Sequence, residues 1–207
     1  MNAQIVVPSV KSHLRAMIRI AILASGSGTN AQKLMERFAA HPAAEIALVA
    51  CDRSGAGVVQ LAWDMGVPVF LFDGGALRGG LLQRELENAR IDLVVLAGFL
   101  RLLPEDLVRA WPDRILNIHP SLLPKYGGQG MYGERVHRAV LAAGEKESGI
   151  TIHLVNERYD EGRVLFQAKC PVLAGDDAVA LAERIHHLEH ANYPRVVEEF
   201  ALGLNTG

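Results

Sequence analysis

The sequence predicts an α/β fold with a doubly wound, mainly parallel, Rossmann-like sheet. Two observations predict it: short runs rich in Val, Ile and Leu recur along the chain, and segments with helical periodicity separate them. An apolar run without alternation is typical of a strand buried on both faces. A repeated order of strand, helix and strand implies right-handed crossovers between parallel strands. The predicted strands are residues 18–23, 46–50, 67–71, 93–96 and 115–118.

Two helices are predicted to connect the first three strands. Residues 30–40 place Leu34 and Phe38 four positions apart, which puts both side chains on one face of a helix. Residues 57–65 show a similar pattern, and Gly66 then marks the end of the helix. Both helices are expected to pack against the sheet.

The pattern changes after the fifth strand. Two prolines and four glycines within residues 120–133 predict a long irregular segment, a kind of loop that is usually functional in a compact domain. Two further strands, residues 149–155 and 163–171, are predicted to form an added C-terminal hairpin. A final amphipathic helix is predicted from residue 178 to residue 191, and it is expected to end near Pro194.

The composition limits the function classes. The chain has 207 residues, of which 50% are apolar and 21% charged, and this balance is typical of a globular protein. A formal net charge of −2 predicts no basic surface for nucleic acid, and no apolar run approaches the ~20 residues that span a bilayer. Cys51 and Cys170 are the only cysteines and lack a zinc-binding spacing. We therefore expect reduced thiols, a cytoplasmic location and no metal.

The first 16 residues are expected to be a disordered leader. Their apolar patch, residues 5–7, is short and is interrupted by Pro8, unlike the apolar core of a signal peptide. The rest of the sequence contains no linker, repeat or low-complexity tract. Residues 17–207 are therefore expected to form a single domain.

The first candidate site is the glycine-containing loop SGSGTN, residues 25–30, which follows the first strand and precedes the first helix. Glycines let a ligand approach the backbone, and free amides at a helix N-terminus favour an anion. Gly28, Thr29 and Asn30 are therefore candidates for binding a phosphate. The loop matches neither the dinucleotide-binding GxGxxG pattern nor a P-loop. The structural alternative is a tight turn in which Thr29 or Asn30 caps the helix.

The second candidate is NIHPSLLP, residues 117–124, at the carboxyl end of the fifth strand, where open α/β sheets bind ligands. Asn117 and His119 leave the same face of an extended segment, and an amide beside an imidazole suits an oxyanion and a proton transfer. Asp160, in the hairpin turn, would favour a protonated His119 if the turn folds over the strand ends. The alternatives are a structural histidine and an ordinary turn residue.

The last helix carries His186 and His190 four positions apart. No HExxH pattern accompanies them, so we expect a partly exposed pair rather than a metal site. Glu189 lies beside them and, taken alone, is interpreted as a solvated surface charge.

Four motifs together resemble the phosphoribosylglycinamide formyltransferases. They are SGSGTN at residues 25–30, LAGFLRLLP at residues 96–104, NIHPSLLPKY at residues 117–126, and the later DEG with Gln167. The similarity runs in order through about residues 18–199. HPSLLP marks the wider family of enzymes that use 10-formyltetrahydrofolate, whereas the first loop narrows the choice of acceptor.

The resemblance implies the formyltransferase fold and a reaction in purine synthesis. A formyl group would pass directly from the co-substrate 10-formyltetrahydrofolate to the amine of phosphoribosylglycinamide. The resemblance further implies that Asn117 and protonated His119 stabilise the oxyanion, and that Asp160 keeps His119 charged and assists proton transfer.

The resemblance also implies two binding surfaces. Gly28, Thr29 and Asn30 would bind the acceptor's phosphate, while His186 and Glu189 would face its ribose. The leucines of residues 100–103 would be assigned to the core from their apolar character alone, but the resemblance places them in the folate pocket. The implied folate contacts are Arg78, Leu100, Arg101, Leu102, Leu103, Asn117, Asn156, Glu157, Arg158, Tyr159 and Asp160.

The sequence departs from the family pattern in one internal segment. Residues 127–135 are longer and richer in glycine than in the compact members of the family, and His137 has no assured counterpart there. The role of this segment and of His137 therefore stays open at the level of the sequence.

Three other functions also stay open. A 10-formyltetrahydrofolate hydrolase would use the same three residues with water as the acceptor. A methionyl-tRNA formyltransferase would share NIHPSLLP, but it would need a further domain and a basic surface. A non-catalytic nucleotide-binding protein would keep the fold and the glycine loop without needing the three residues. We expect small-molecule substrates, no nucleic-acid or membrane partner, and a monomer or a homodimer.

Overall fold

The computed structural model describes residues 17–204, so the leader predicted at residues 1–16 lies outside the described residues. The strands are β1 (Ile18–Ala24), β2 (Ala44–Cys51), β3 (Val69–Leu71), β4 (Leu93–Leu96), β5 (Ile115–His119), β6 (Glu147–Leu154) and β7 (Val164–Pro171). The helices are α1 (Thr29–Phe38), α2 (Gly57–Asp64), α3 (Gly74–Arg78), α4 (Leu81–Asn88), α5 (Glu105–Ala110), α6 (Glu134–Ala142) and α7 (Ala178–Leu204).

These strands form one sheet in the order β3-β2-β1-β4-β5-β6-β7. The pairs from β3 to β5 are parallel, whereas β6 runs antiparallel to β5 and β7 runs antiparallel to β6. The predicted α/β class, the mainly parallel sheet and the added hairpin are confirmed. The chain order reverses between β1 and β4, and this switch point is where open α/β sheets bind ligands.

Most strands match the sequence prediction because their side chains are buried on both faces of the sheet. In β1, Ile20 and Ile22 face one apolar cluster, while Ala21 and Leu23 face another, and all four are fully buried. Such a strand reads as a continuous apolar run. β3 is shorter than predicted because it begins at Val69, and its residues lie partly exposed at the edge of the sheet.

Four helices, α3 to α6, are absent from the sequence prediction. α3 and α5 have only five and six residues, too few for a helical period to show in the sequence. α6 begins directly after Gly133, where the irregular segment predicted from residue 120 ends.

The final helix is longer than predicted, because Pro194 lies inside α7 rather than at its end. A proline within a helix removes one backbone hydrogen bond and costs about 3 kcal/mol. The helix continues because the residues around and beyond Pro194 are buried against the core, among them Tyr193, Val197 and Ala201. This burial offsets the cost of the proline.

Two observations concern the predictions made from composition about the cysteines and about membrane-spanning segments. Cys51 and Cys170 are both buried and unpaired, as expected of reduced thiols. Among residues 17–204, no helix is both long and apolar enough to cross a membrane.

Candidate active site

The carboxyl ends of β1, β4 and β5 open into one cavity of about 480 Å³. The loops after these strands line it, together with the turn between β6 and β7 and one side of α7. The cavity therefore lies at the switch point of the sheet. Most residues implied by the resemblance line this cavity: Gly28, Thr29, Asn30, Leu100, Arg101, Leu102, Leu103, Asn117, His119, Asn156, Arg158, Tyr159, Asp160, His186 and Glu189.

Arg78 and Glu157 are the two implied residues that do not line the cavity. Glu157 is exposed and its carboxylate lies 3.9 Å from the Arg109 guanidinium. Arg78 nevertheless approaches Arg101 beside Gly74. A Cβ atom added to Gly74 would lie 3.3 Å from the Arg78 guanidinium and 3.0 Å from the Arg101 guanidinium. The structure therefore brings two positive charges together next to the cavity.

The glycine loop ends at Gly28, which has the left-handed dihedral angle φ of 84° and directly precedes α1. A Cβ atom here would lie only 2.7 Å from the Cβ of Val58, so the position admits little more than glycine. No side chain caps the helix at this residue. The loop is therefore not the alternative, a tight turn in which Thr29 or Asn30 caps the helix. The first amides of α1 therefore face the cavity without a side-chain cap.

Glu189 is buried, so its interpretation as a surface charge is wrong. Its side chain lies against the start of α1, where Asn30 Nδ2 donates a hydrogen bond of 2.8 Å to Glu189 Oε2. Burial raises the pKa of Glu189, and the hydrogen bond from Asn30 opposes that rise. His186 is exposed to the cavity and stacks on His190 with 6.3 Å between ring centroids. This pair is partly exposed, as expected.

Asn117 and His119 lie two positions apart at the end of β5, and both side chains line the cavity. His119 is only 4% exposed. Its Nε2 lies 2.8 Å from the carbonyl oxygen of Tyr126, and its Nδ1 lies 3.6 Å from Asp160 Oδ2. Two oxygen acceptors therefore face the two ring nitrogens, an arrangement that favours an imidazolium.

The pKa of His119 nevertheless lies below its usual value of 6.5. Burial lowers this pKa most, while the charge of Asp160 and the carbonyl of Tyr126 raise it in part. A lowered pKa favours neutral His119, whereas a protonated His119 was expected from the sequence. The reason is desolvation, which disfavours a buried cation more than the neighbouring carboxylate favours it.

Asp160 lies where the hairpin turn folds back over the strand ends, as its proposed contact with His119 requires. Its φ of 56° is left-handed, a conformation that Asp tolerates better than most residues, and Gly128 N donates a 2.9 Å hydrogen bond to its Oδ2. Burial raises the pKa of this carboxylate, but the hydrogen bond from His153 and the charge of His119 outweigh it, so the pKa is lowered overall.

His153 is a site residue that sequence reasoning missed. The antiparallel pairing of β5 with β6 places it opposite Asn117, with 3.1 Å between Asn117 Nδ2 and His153 Nε2. The same Nε2 lies 3.6 Å from Asp160 Oδ1. The only signal in the sequence is its position in the predicted hairpin, and that position gains meaning only once the register with β5 is known.

The loop after β4 carries two leucines that are exposed although they are apolar. Leu100 is 40% exposed and Leu102 49%, and only Leu103 is buried as a core residue would be. Assigning all three to the core is therefore wrong. Ser25 Oγ accepts a hydrogen bond of 3.2 Å from the Leu100 amide, which fixes this loop to the glycine loop.

Asp52 is a second residue that sequence reasoning missed. It lies just beyond the end of β2, where its buried carboxylate accepts a hydrogen bond from the Arg101 guanidinium. The hydroxyl of Ser25 lies beside the same carboxylate. Asp52 thus orients Arg101 at the cavity. Among residues 17–204, no group of three or more His, Cys, Asp or Glu side chains is placed to hold a metal ion.

Comparison with known proteins identifies the family to which the chain belongs. The family model described as Formyl transferase matches residues 18–197. A protein of Bacillus subtilis named phosphoribosylglycinamide formyltransferase is 34% identical over 195 residues, covering 91% of this chain and 97% of that protein. A chloroplastic protein of the same name from Arabidopsis thaliana is 41% identical over 193 residues, covering 90% of this chain. The chain spans 66% of that plant relative's length.

Solved structures lead to the same family. Glycinamide ribonucleotide transformylase 1 from Geobacillus kaustophilus superposes with a TM-score of 0.82 at 38% identity, covering 89% of this chain and 99% of that one. Phosphoribosylglycinamide formyltransferase from Anaplasma phagocytophilum gives a TM-score of 0.83 at 35% identity, covering 90% and 88%. The predicted family is confirmed, and the chain belongs to the formyl transferase family.

Proposed function

We propose that this protein transfers a formyl group from 10-formyltetrahydrofolate to the amine of phosphoribosylglycinamide, a step of purine synthesis. The observation that carries the proposal is the position of Asn117, His119 and Asp160 in one cavity, between the glycine loop and the exposed leucines after β4. The names of the bacterial relatives support this choice of acceptor.

The loop after β4 fits a flat and largely apolar donor. Exposed apolar side chains that line a cavity mark a ligand surface, and Leu100 and Leu102 are such side chains. In our proposal these leucines pack on the donor's ring system, while backbone groups of this loop and of Asn156 bind the polar ring edge. Arg101 and Arg78 supply positive charge for the carboxylates of the donor.

The opposite end of the cavity fits the phosphoribosyl part of the acceptor. The uncapped amides of α1 suit a phosphate, because backbone N–H groups and the helix dipole both favour an anion. Glu189, held by Asn30, presents carboxylate oxygens that accept hydrogen bonds from ribose hydroxyls. His186 lines the same end.

The donor supplies the formyl group, and the chain's residues act on the charge that develops when the amine attacks it. Asn117 donates a side-chain N–H to the formyl oxygen as this oxygen becomes negative. His119, once protonated, adds its positive charge near the same oxygen, because both residues line one cavity. Asp160 stabilises the imidazolium through the 3.6 Å approach to Nδ1. The amine nitrogen bonds to the formyl carbon and gives a proton to neutral His119, which then passes a proton to the donor nitrogen as the bond between that nitrogen and the formyl carbon breaks and the carbonyl re-forms.

The lowered pKa of His119 suits this sequence of events. Negative charge on the formyl oxygen raises the affinity of His119 for a proton only during the reaction, because burial disfavours the cation before the reaction begins. His119 is therefore proposed to gain full positive charge with the oxyanion and to lose it with the product.

The test is the release of tetrahydrofolate from 10-formyltetrahydrofolate, followed spectrophotometrically with and without phosphoribosylglycinamide. We expect release that requires the acceptor and that falls about 10²- to 10⁴-fold in His119→Ala, the usual contribution of a positioned acid or base. His187→Ala is the matched control, because His187 is exposed and does not line the cavity.

Two other results would replace this proposal. Tetrahydrofolate release without the acceptor would identify a hydrolase, which would use the same three residues with water. No release under any condition would identify a binding protein or a different acceptor. The cytoplasmic location, the monomeric or homodimeric state and the absence of nucleic-acid, membrane and metal partners stay predictions, and plant relatives are named as chloroplastic.

A further inference from the structure

One buried histidine in the cavity has no part in the reaction described above. His137 lies on α6 and is only 3% exposed, yet it lines the cavity. Its Nδ1 has no hydrogen-bond partner within residues 17–204. This nitrogen is closed off from the cavity, so the ring nitrogen left to meet a ligand is Nε2, which has no protein partner among these residues either.

The position of His137 along the cavity indicates which part of the ligand it contacts. His137 lines the cavity together with His186, at the end that suits the ribose, and His119, at the reacting centre, and, in addition to burial, the charges of both lower its pKa. It therefore lies between the two ends. In phosphoribosylglycinamide, the group that connects the ribose to the reacting amine is an amide.

The charge state of His137 fits an amide and argues against a catalytic base. Burial, with a smaller contribution from His186, lowers the pKa of His137 to about 4. At neutral pH the ring is uncharged, with one N–H donor and one lone-pair acceptor. Nε2 presents either an N–H or a lone pair, according to the tautomer, and an amide offers a complementary group for each, a C=O and an N–H. A residue with so low a pKa is a weak base and accepts a proton from an alkylammonium group poorly.

We propose that His137 binds the amide of the acceptor and so selects acceptors that carry a glycinamide over other ribose phosphates. This inference rests on the proposed function and adds a specificity residue to it. The loop of residues 128–133 lines the cavity and leads directly into α6, so this segment would set the position of His137. The long loop after β5 would thus contribute to acceptor recognition.

The experiment compares the binding of two probes, phosphoribosylglycinamide and ribose 5-phosphate, to the full chain by titration calorimetry. Ribose 5-phosphate keeps the phosphate and ribose but lacks the amide. We expect His137→Phe to weaken phosphoribosylglycinamide at least tenfold and to change ribose 5-phosphate less than twofold. His137→Gln, which keeps a donor and an acceptor, should recover most of the lost affinity.

Kinetics and a control variant separate binding from structural damage. We expect His137→Phe to raise the KM for phosphoribosylglycinamide while the KM for 10-formyltetrahydrofolate stays unchanged. Arg138→Gln is the matched control on the same helix, because this side chain is 70% exposed and pairs with Glu134 at the surface. It should behave as the wild type in every measurement.

Several outcomes would overturn the inference. Equal weakening of both probes by His137→Phe would assign His137 to the phosphoribosyl end or to folding, and unchanged binding of both would remove it from recognition. If the wild type transfers formyl to phosphoribosylglycinamide and His137→Phe binds both probes as the wild type does, this inference alone is rejected. Wild-type protein that does not bind phosphoribosylglycinamide would reject the proposed function and, with it, this inference.

Discussion

The carboxylate of Asp160 is shared by two imidazoles, since Oδ2 faces His119 and Oδ1 faces His153, each at 3.6 Å. One acidic side chain thus influences both the proposed acid and the residue that contacts Asn117. This sharing explains why the small hairpin turn, far from β5 in the sequence, can control the charge at the centre of the cavity.

Replacing Asp160 with Asn should lower the pKa of His119 further. The carboxylate raises this pKa against the effect of burial, so its removal leaves burial less opposed. We expect His119 to titrate at lower pH in Asp160→Asn, as followed by NMR of the ring, and kcat to fall about 100-fold, within the range of a positioned acid. Glu161→Gln is the control, because Glu161 is exposed. An unchanged titration and rate would remove Asp160 from the mechanism.

At the scale of residues, the sequence predicts spacing well and burial poorly. Asn117 and His119 could be paired because two positions on a strand share a face. Glu189 could not be assigned to the cavity from its own environment, because an acidic residue on a helix is usually solvated. Its burial depends on Asn30, which lies 159 positions earlier in the chain.

The glycine loop and α1 act as one element, because Gly28 directly precedes the first residue of the helix. Gly28→Ala should weaken phosphoribosylglycinamide binding more than tetrahydrofolate binding, since the added Cβ meets Val58 at 2.7 Å and displaces the first amides of α1. Calorimetric titration of each ligand measures this. Gly55→Ala is the control, because a Cβ there meets nothing within 4 Å. Equal losses for the two ligands would show that α1 does not bind the phosphate.

The long final helix is fixed to the sheet by a buried hydrogen bond. Tyr193 is fully buried, and its hydroxyl donates to the carbonyl oxygen of Leu96, at the end of β4, over 2.9 Å. Tyr193→Phe should lower the free energy of unfolding by about 0.5–1.5 kcal/mol, the net contribution of a typical intramolecular hydrogen bond. Urea unfolding measures this loss. Tyr132→Phe is the exposed control, and an equal loss in both variants would contradict the argument.

At the scale of elements, long buried strands were predictable and short helices were not. A strand such as β4 consists of four buried apolar residues and leaves a clear signal. The end of α7 was predicted too early because Pro194 is a strong local signal, and the packing of Tyr193 that outweighs it is a long-range effect. Local preferences therefore fail where tertiary contacts determine the boundary.

For the whole molecule, the cavity combines loops after three parallel strands with the hairpin turn and two helices from the C-terminal half. The strand order explains why: β1, β4 and β5 are neighbours in the sheet although up to about 90 residues separate them in the chain. The sequence predicted the sheet and the loops that line the cavity. It could not predict the contacts across the cavity, because those depend on the register of β6 against β5 and on the path of α7.

The cavity also makes the stability of the whole molecule depend on pH. The pKa of His137 is about 4 in the folded protein, against a usual value of 6.5. Because this pKa is lowered on folding, the unfolded chain takes up the proton first as the pH falls. The contribution of neutral His137 to stability is therefore complete above pH 6.5 and is lost as the pH falls towards 4.

The size of this effect can be measured with a variant that does not titrate. A pKa difference between 6.5 and about 4 corresponds to about 3 kcal/mol at pH 4. We expect the free energy of unfolding in urea to fall by about this much more in the wild type than in His137→Gln between pH 7.5 and pH 4. His119 and His190, whose pKa values are also lowered, stay in both proteins and cancel in the difference. Parallel curves for the two proteins would mean that His137 is not held neutral by burial.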